Sequence, residues 1–331
     1  MDSNKIINAD SLQHLKTLDD NVFDSCVTDP PYHLASIVKR FGPGQKGINN
    51  QDEKEGRSGP YHRAAKGFMG ETWDGGDIAF QKEFWEEVYR VIKPGAVCLA
   101  FAATRNYHRM AVALEDAGFE VVDMINWIYG SGFPKRRNLL KPAHEPICVA
   151  RKGVNKELNL DDCRVPYRDE NDRSGWHKTG SDGSKGYMGT DTFKIRKIGA
   201  EEIKERTKDG RYPANVIHDG SDEVIESFSQ HTKAGKYKGE GSVARYFYSA
   251  KATKKEKGDT KHPTVKPLSL MRYLIKLVTP KEGLVLDPFA GTGTTGEACI
   301  LENRKYYLIE KTKEYIPDIE NRLNKYGRLG I

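Results

Sequence analysis

No stretch of the 331-residue chain approaches the ~18 consecutive apolar residues that a membrane-spanning helix needs. The opening residues, Met1-Asp2-Ser3-Asn4-Lys5, lack the charged-then-apolar pattern of a secretory signal, so the protein is expected in the cytoplasm. Cysteine is scarce: Cys26, Cys98, Cys148, Cys163 and Cys299 are the five, and no two form a C-x-x-C pair. An odd count at scattered spacing argues against both a disulfide framework and a zinc site, and points to buried, reduced thiols. The nine histidines show no ligand spacing, and no internal repeat is present.

What is present suffices for a globular protein, with 37% hydrophobic and 10% aromatic residues. The length allows a full α/β core and a second, smaller module. The net charge of +6 is unevenly placed. Residues 151–262 carry 24 Lys and Arg against 19 Asp and Glu, and 231–261 alone carry 9 against 3. Such a basic stripe suits a polyanion such as nucleic acid, and equally suits a plain solvated surface.

Hydrophobic periodicity divides the chain into three parts. In the first, 1–150, an extended segment over 5–9 precedes a helix over 11–18, with Asp10 as candidate cap, and a strand over 22–28. A hydrophilic stretch over 33–72, with seven glycines, reads as a long loop. A helix over 80–92 stops at Lys93-Pro94-Gly95. A strand over 96–102, a helix over 106–117 and strands over 120–128 and 146–150 follow. The second part, 151–262, loses this pattern and reads as an irregular inserted module. In the third, 263–331, a helix over 268–278, a strand over 284–286, a glycine loop, a helix through 301, a strand over 306–309 and a helix over 315–326 restore it. Alternating strands and amphipathic helices imply an α/β sandwich around a mostly parallel sheet.

Two motifs carry chemistry. Asp29-Pro30-Pro31-Tyr32 stands at the carboxyl end of a predicted strand, where open α/β sheets bind ligands. Consecutive prolines fix φ and remove two N–H donors, giving a stiff turn whose carbonyls can act only as acceptors. A carboxylate and a rigid carbonyl could accept both hydrogens of an exocyclic base amine, favour its pyramidal form and stabilise the charge developing on nitrogen. Tyr32 could stack on a base taken out of the helix. An ordinary strand-to-loop turn remains the alternative.

The second motif runs Asp287-Pro288-Phe289-Ala290-Gly291-Thr292-Gly293-Thr294-Thr295-Gly296 after a strand and into a helix. Its glycines fit G-x-G-x-x-G, and Glu310 lies 19 residues beyond Gly291, near the spacing of a ribose-binding acid. A nicotinamide cofactor fits poorly, because Asp287 would repel a pyrophosphate while attracting a cationic methionine group. The Gly-Lys-Ser/Thr ending of a phosphate-binding loop is missing, which argues against a nucleotide triphosphatase. Close helix–strand packing by glycine is the structural alternative.

Together these residues resemble the amino-methyltransferases of DNA, whose marks are D-P-P-Y and F-x-G-x-G. Phe289-Ala290-Gly291-Thr292-Gly293 fits the second mark in full. The catalytic motif precedes the cofactor loop by more than 250 residues, an order that resembles the family's β group, with the recognition module between the two. His262-Pro263-Thr264-Val265-Lys266-Pro267 is similar to the family's segment near the methionine moiety, Asn8-Ala9-Asp10 to its acidic motif near the adenine, and residues 127–134 to the lining of the target-base pocket. The similarity spans 5–152 and 261–325.

The resemblance implies a Rossmann-like sandwich of seven strands, with the two motifs on adjacent central ones. It implies S-adenosylmethionine as cofactor, held by Asp10, Thr264, Lys266, Asp287, Pro288, Phe289, Ala290, Gly291, Gly293, Thr294 and Glu310, with Glu310 on the ribose hydroxyls. No metal is implied, because direct in-line transfer needs only alignment and charge stabilisation. The substrate would be double-stranded DNA and the target adenine N6, since the family tends to carry Asp at position 29 for adenine. Cytosine N4 is the alternative; a DNA-binding relative without catalysis, and an RNA or protein methyltransferase, fit less well. A homodimer and an accompanying restriction enzyme are left open.

Lys135, Arg136 and Arg137 could contact phosphates or form an exposed basic turn. Arg245, with Tyr246, Phe247, Tyr248, Lys251, Lys254 and Lys255, mixes aromatic and basic character as a nucleic-acid groove does, although 243–248 also suits a half-buried strand. Trp73 is open to a place beside the target base or to anchoring the loop.

Overall fold

The structure is a computed structural model describing residues 4–32, 77–130, 140–153, 157–167, 210–224, 247–248, 256, 260 and 265–327. Its centre is a nine-stranded sheet. In chain order the strands are β1 (Lys5–Asn8), β2 (Phe23–Thr28), β3 (Ile92–Phe101), β4 (Glu120–Ile128), β5 (His144–Arg151), β6 (Val216–His218), β7 (Phe247–Tyr248), β8 (Leu284–Asp287) and β9 (Lys305–Glu310). The helices are α1 (Ser11–Leu15), α2 (Lys82–Val91), α3 (Tyr107–Asp116), α4 (Leu268–Val278), α5 (Thr294–Leu301) and α6 (Ile316–Gly327).

Across the sheet the order is β1-β9-β8-β2-β3-β5-β4-β6-β7. All neighbours pair in parallel except β5, which runs antiparallel to both β3 and β4. Parallel neighbours require crossovers, and the helices that make them cover both faces. Side-chain alternation supplies the two cores. Val27, Leu99, Val285 and Leu308 face the layer containing α4 and α6 residues. Cys26, Cys98, Leu286 and Ile309 face Phe84, Trp85, Val88, Met110 and Leu114 of α2 and α3. All five cysteines are buried free thiols, as their spacing implied.

Local chemistry explains the element ends. Asp10 caps α1 by accepting from the Gln13 amide at 3.2 Å, as expected. The expected break at Lys93-Pro94-Gly95 is not a gap between elements: α2 runs straight into β3 at Ile92. The register slips there instead, Phe23 pairing with Ile92 but Ser25 with Val97. Pro94 has no N–H for a ladder, and Gly95 takes a positive φ of 79°, so the segment bulges without ending the strand.

Seven strands were expected and nine are present. The two extra ones, β6 and β7, come from the 151–262 stretch, where short apolar runs pair onto the edge strand β4 and continue the sheet. An exposed edge is an unpaired template, and these pieces occupy it. Asp161–Cys163, a 3₁₀ turn from the same stretch, packs against α4. Among the described residues no helix is long and apolar enough to cross a membrane. The loop over 33–72 and Trp73 lie outside the described residues.

The carboxyl-terminal helix is locked on by a buried carboxylate. Glu297 on α5 is 2% exposed and accepts from Arg322 at 2.6 Å and from the Tyr326 hydroxyl at 2.7 Å, with Lys325 also paired to it. Arg322 also donates to the Thr292 carbonyl at 2.8 Å, so α6 grips the glycine loop as well. Burial pushes the Glu297 carboxyl up, but hydrogen bonds from Lys325, Arg322 and Tyr326 outweigh it and hold the group below its ordinary 4.5. Glu297→Ala strands the Arg322 charge and is expected to cost about 3–5 kcal/mol in urea denaturation at neutral pH. Because the folded value is depressed, this stabilisation is full above the ordinary value and is lost as pH falls through the folded one. The gap between wild type and variant should therefore narrow on acidification; a gap under about 1 kcal/mol at neutral pH would contradict the role.

Candidate active site

The two sequence motifs meet at the middle of the sheet. β2 and β8 are parallel neighbours, with Ser25 beside Val285 and Cys26 beside Leu286. Their carboxyl ends therefore emerge about one strand spacing, ~5 Å, apart. From β2 issues Asp29-Pro30-Pro31-Tyr32, and from β8 the loop that begins at Asp287.

Asp287 is buried, 3% exposed, and fully engaged by the protein. One oxygen accepts from the Thr28 hydroxyl at 2.8 Å and the Phe289 amide at 3.1 Å; the other accepts from the Thr295 hydroxyl at 2.5 Å. It thus ties β2, the loop and α5 together. Burial raises its carboxyl to about 6, against the lowering effect of these three hydrogen bonds.

Beyond it, Gly291 and Gly293 take positive φ of 54° and 76°. A side chain at Gly293 would meet Ile319 of α6 at 2.8 Å, so glycine is required there both by conformation and by space. Gly296 packs as expected of the third glycine, its missing Cβ replaced by Leu308 of β9 at 2.8 Å. The Gly291 amide donates to Glu310 Oε2 at 2.8 Å, and the Thr312 amide to Oε1 at 2.7 Å. The Thr312 side chain and the Lys311 backbone also hydrogen-bond this carboxylate. Burial raises the Glu310 carboxyl despite these amides.

Ser11 donates to the Pro288 carbonyl at 2.5 Å, and Phe289 lies half-buried with its ring 5.1 Å from that of Phe84. Asp10 pairs with Lys311, next to Glu310, at 2.9 Å. Ala290 and Thr294 are buried in the loop and the first turn of α5. The expected cofactor residues 10, 287–291, 293, 294 and 310 are therefore gathered along the ends of β1, β9 and β8.

Lys266 stands elsewhere. Its ammonium lies 2.6 Å from Asp29 Oδ2, 3.1 Å from the Tyr32 hydroxyl and 3.2 Å from Glu145 Oε2. The rings of Phe101 and Tyr32 lie beneath it, with centroids 4.7 and 5.3 Å away. Burial lowers its affinity for a proton, but Asp29 and Glu145 more than compensate and raise the ammonium well above its ordinary value. The second Asp29 oxygen, Oδ1, is buried and has no hydrogen-bond partner among the described residues. A carboxylate held on one side by a cation and bare on the other is an acceptor waiting for an N–H donor.

The turn is fixed at both ends. Pro30 is buried, and Asn106, at the start of α3, donates to the Tyr32 carbonyl at 2.7 Å. The Tyr32 hydroxyl donates to Glu145 at 3.2 Å, and burial with the charges of Asp29 and Glu145 pushes that phenol well above its ordinary value. Tyr32 is therefore a neutral phenol that donates to Glu145.

Sequence reasoning missed Glu145, Asn106, Ser11 and Thr295. Glu145 had one readable signal. β5 runs antiparallel, with Phe101 opposite Ile147, so its amino end lies at the edge where the parallel strands have their carboxyl ends. An acid at the start of such a strand faces the site, but only after the strand's direction is known. Thr264, Lys135, Arg136, Arg137, Arg245, Lys251, Lys254 and Lys255 lie outside the described residues.

The chain matches the model of the N6/N4 DNA methylase family over residues 23–321. It is 26% identical over 322 residues to the type II methyltransferase M.HpaI of Haemophilus parainfluenzae, covering 97% of this chain and 74% of that protein. With the type II methyltransferase M.HindIII of Haemophilus influenzae it shares 26% identity over 351 residues, covering 96% of this chain and 94% of the relative. Among solved structures, the cytosine-N4-specific PvuII DNA methyltransferase superposes with a TM-score of 0.52 at 15% identity, over 97% of this chain and 86% of that one, a likeness of fold.

The raised Asp287 carboxyl has a consequence for stability. A folded value lifted from 3.8 to about 6 means that its contribution is full below the unfolded value and declines as pH rises through about 6. Asp287→Asn removes that titration, so wild type should exceed the variant by more at about pH 5 than at about pH 7.5 in equilibrium denaturation. An unchanged or reversed gap would show that the carboxyl is not raised.

Proposed function

Because the chain belongs to the N6/N4 DNA methylase family, with DNA as substrate and S-adenosylmethionine as methyl donor, we propose that it methylates the exocyclic N6 of adenine in DNA. The observation that carries the reading is the bare Oδ1 of Asp29, buried within a rigid Pro-Pro turn beside Tyr32. In this reading the target base leaves the helix and stacks on Tyr32. One amine hydrogen goes to Asp29 Oδ1 and the other to a carbonyl of the proline turn. Both contacts strengthen as positive charge develops on nitrogen, so they favour the transition state over the ground state.

The donor set at the neighbouring strand ends fits S-adenosylmethionine. Glu310 is held against the Gly291 amide at the loop, where ribose hydroxyls would meet it, Phe289 offers an apolar face, and the Asp287–Gly293 loop brings backbone close to a ligand. Asp10, next to Glu310, would flank the adenine, and Asp287 would set the loop's shape as well as its charge. When bound, the sulfonium supplies an electrophilic methyl group and leaves as a neutral thioether. The chain's own residues align the amine, withhold water and accept its proton once the methylated nitrogen has become acidic. Lys266, standing on Asp29 instead of on the cofactor side, belongs in this scheme to the base pocket.

The 151–262 stretch, with its excess of basic residues, would read the DNA. Asp at position 29, by resemblance to the family's usage, supports adenine over cytosine as the base. Incubation with labelled S-adenosylmethionine and unmethylated genomic DNA, followed by digestion to nucleosides, is expected to yield N6-methyl-2′-deoxyadenosine. Label only in N4-methylcytosine would contradict the base assignment. Asp29→Ala is expected to keep cofactor binding, measured by calorimetry, while transfer falls by a factor on the order of 10³; full activity would refute the role of Asp29.

A further inference from the structure

One carboxylate in the site has no part in the chemistry described above. Glu145 lies at the amino end of the antiparallel strand β5, half-buried, and takes three donors: Lys266 at 3.2 Å, the Tyr32 hydroxyl at 3.2 Å, and the hydroxyl of buried Tyr129. Trp127 packs edge-on against Tyr129 at 5.4 Å and holds that ring in place. Glu145 is thus a second fixed anion on Lys266, beside Asp29.

Lys266 without Glu145 would work against the reaction. Its ammonium touches Asp29, the group that must stabilise a developing positive charge. A single Lys–Asp pair is neutral overall and offers little to an incoming cation. Two carboxylates around one ammonium leave a net charge of −1, and in a partly buried site that excess acts at short range with little screening. Geometry points the same way. Lys266 bound only to Asp29 could slide across to pair with Oδ1; a second anion 3.2 Å from the ammonium anchors it where it pairs with Oδ2, and Oδ1 has no hydrogen-bond partner among the described residues.

We propose that Glu145 is a positioning residue for methyl transfer: it balances the charge of Lys266, anchors it and Tyr32, and thereby leaves Asp29 Oδ1 open and net-negative for the target amine. The inference rests on the reading of Asp29 as acceptor for an exocyclic amine, and it holds for adenine and cytosine alike because both amines gain the same charge.

The test uses the full-length protein, labelled S-adenosylmethionine and unmethylated genomic DNA under single-turnover conditions. Glu145→Gln is expected to slow transfer by about 10–100-fold while cofactor affinity and half-saturating DNA change less than about threefold. Glu145→Asp, which restores the charge one methylene further back, should recover part of the rate. The decisive comparison is the double variant Glu145→Gln/Lys266→Met. If Glu145 acts by balancing Lys266, deleting both removes the unbalanced cation, so the double variant should be faster than the product of the two single losses.

A full rate in Glu145→Gln would overturn the proposal. So would strictly additive losses, or a loss confined to substrate affinity. If Glu145→Gln does not fold, the comparison of Glu145→Ala with Glu145→Ala/Lys266→Met carries the same two outcomes. The base methylated by wild type is identified in the same samples: N4-methylcytosine there contradicts the adenine assignment alone, whereas an unimpaired Glu145 variant contradicts this inference alone.

Discussion

A buried carboxylate that belongs to no single element sets the site. Asp287 ends β8, yet its oxygens are taken by Thr28 at the end of β2, by the first residue group of the glycine loop and by Thr295 inside α5. If that carboxylate were replaced by an apolar group, two hydroxyls and an amide would lose their acceptor in the interior, each at a cost of about 1–3 kcal/mol. This tie braces β2 against β8, and so the Pro-Pro turn against the glycine loop. The same group links the stability of the sheet to the shape of the loop.

Around that tie the charges are sorted by strand direction. The parallel strands β9, β8 and β2 bring Glu310, Asp287 and Asp29 to one edge of the sheet. The lone antiparallel strand adds Glu145 from its opposite end. Four acids at one edge would repel one another, and the protein handles each differently. Backbone amides hold Glu310, hydroxyls and an amide hold Asp287, and Asp29 shares Lys266 with Glu145. In the proposed reading this edge would suit a cationic donor and a nucleophile that becomes cationic, with one buried oxygen, Asp29 Oδ1, lacking a hydrogen-bond partner among the described residues.

Much of this was legible in the sequence because it is local. The glycine loop, the Pro-Pro turn, the cap at Asp10 and most strands announce themselves through residues within a few positions of one another. Glu145 did not, since a single acid before a strand has no local meaning until the strand's direction is known. Lys266 was placed with the cofactor by its neighbours in sequence, but its side chain crosses to Asp29, which is 237 residues away in the chain. The two additional strands, β6 and β7, have three and two residues, too short for periodicity to register. The bulge at Pro94-Gly95 read as an element boundary because the local signal for a stop and for a register slip is the same.

The central claim is that the open oxygen of Asp29 receives the amine of the target base while Lys266 and Glu145 hold the other side. A crystal structure of the protein with DNA containing its unmethylated target site and a non-reactive analogue of S-adenosylmethionine tests it most directly. The expected result is an extruded base on Tyr32, its exocyclic nitrogen within about 3 Å of Asp29 Oδ1, and Lys266 still on Oδ2 between Asp29 and Glu145. A base amine bound by other groups, or Lys266 displaced onto Oδ1 in the complex, would contradict the account.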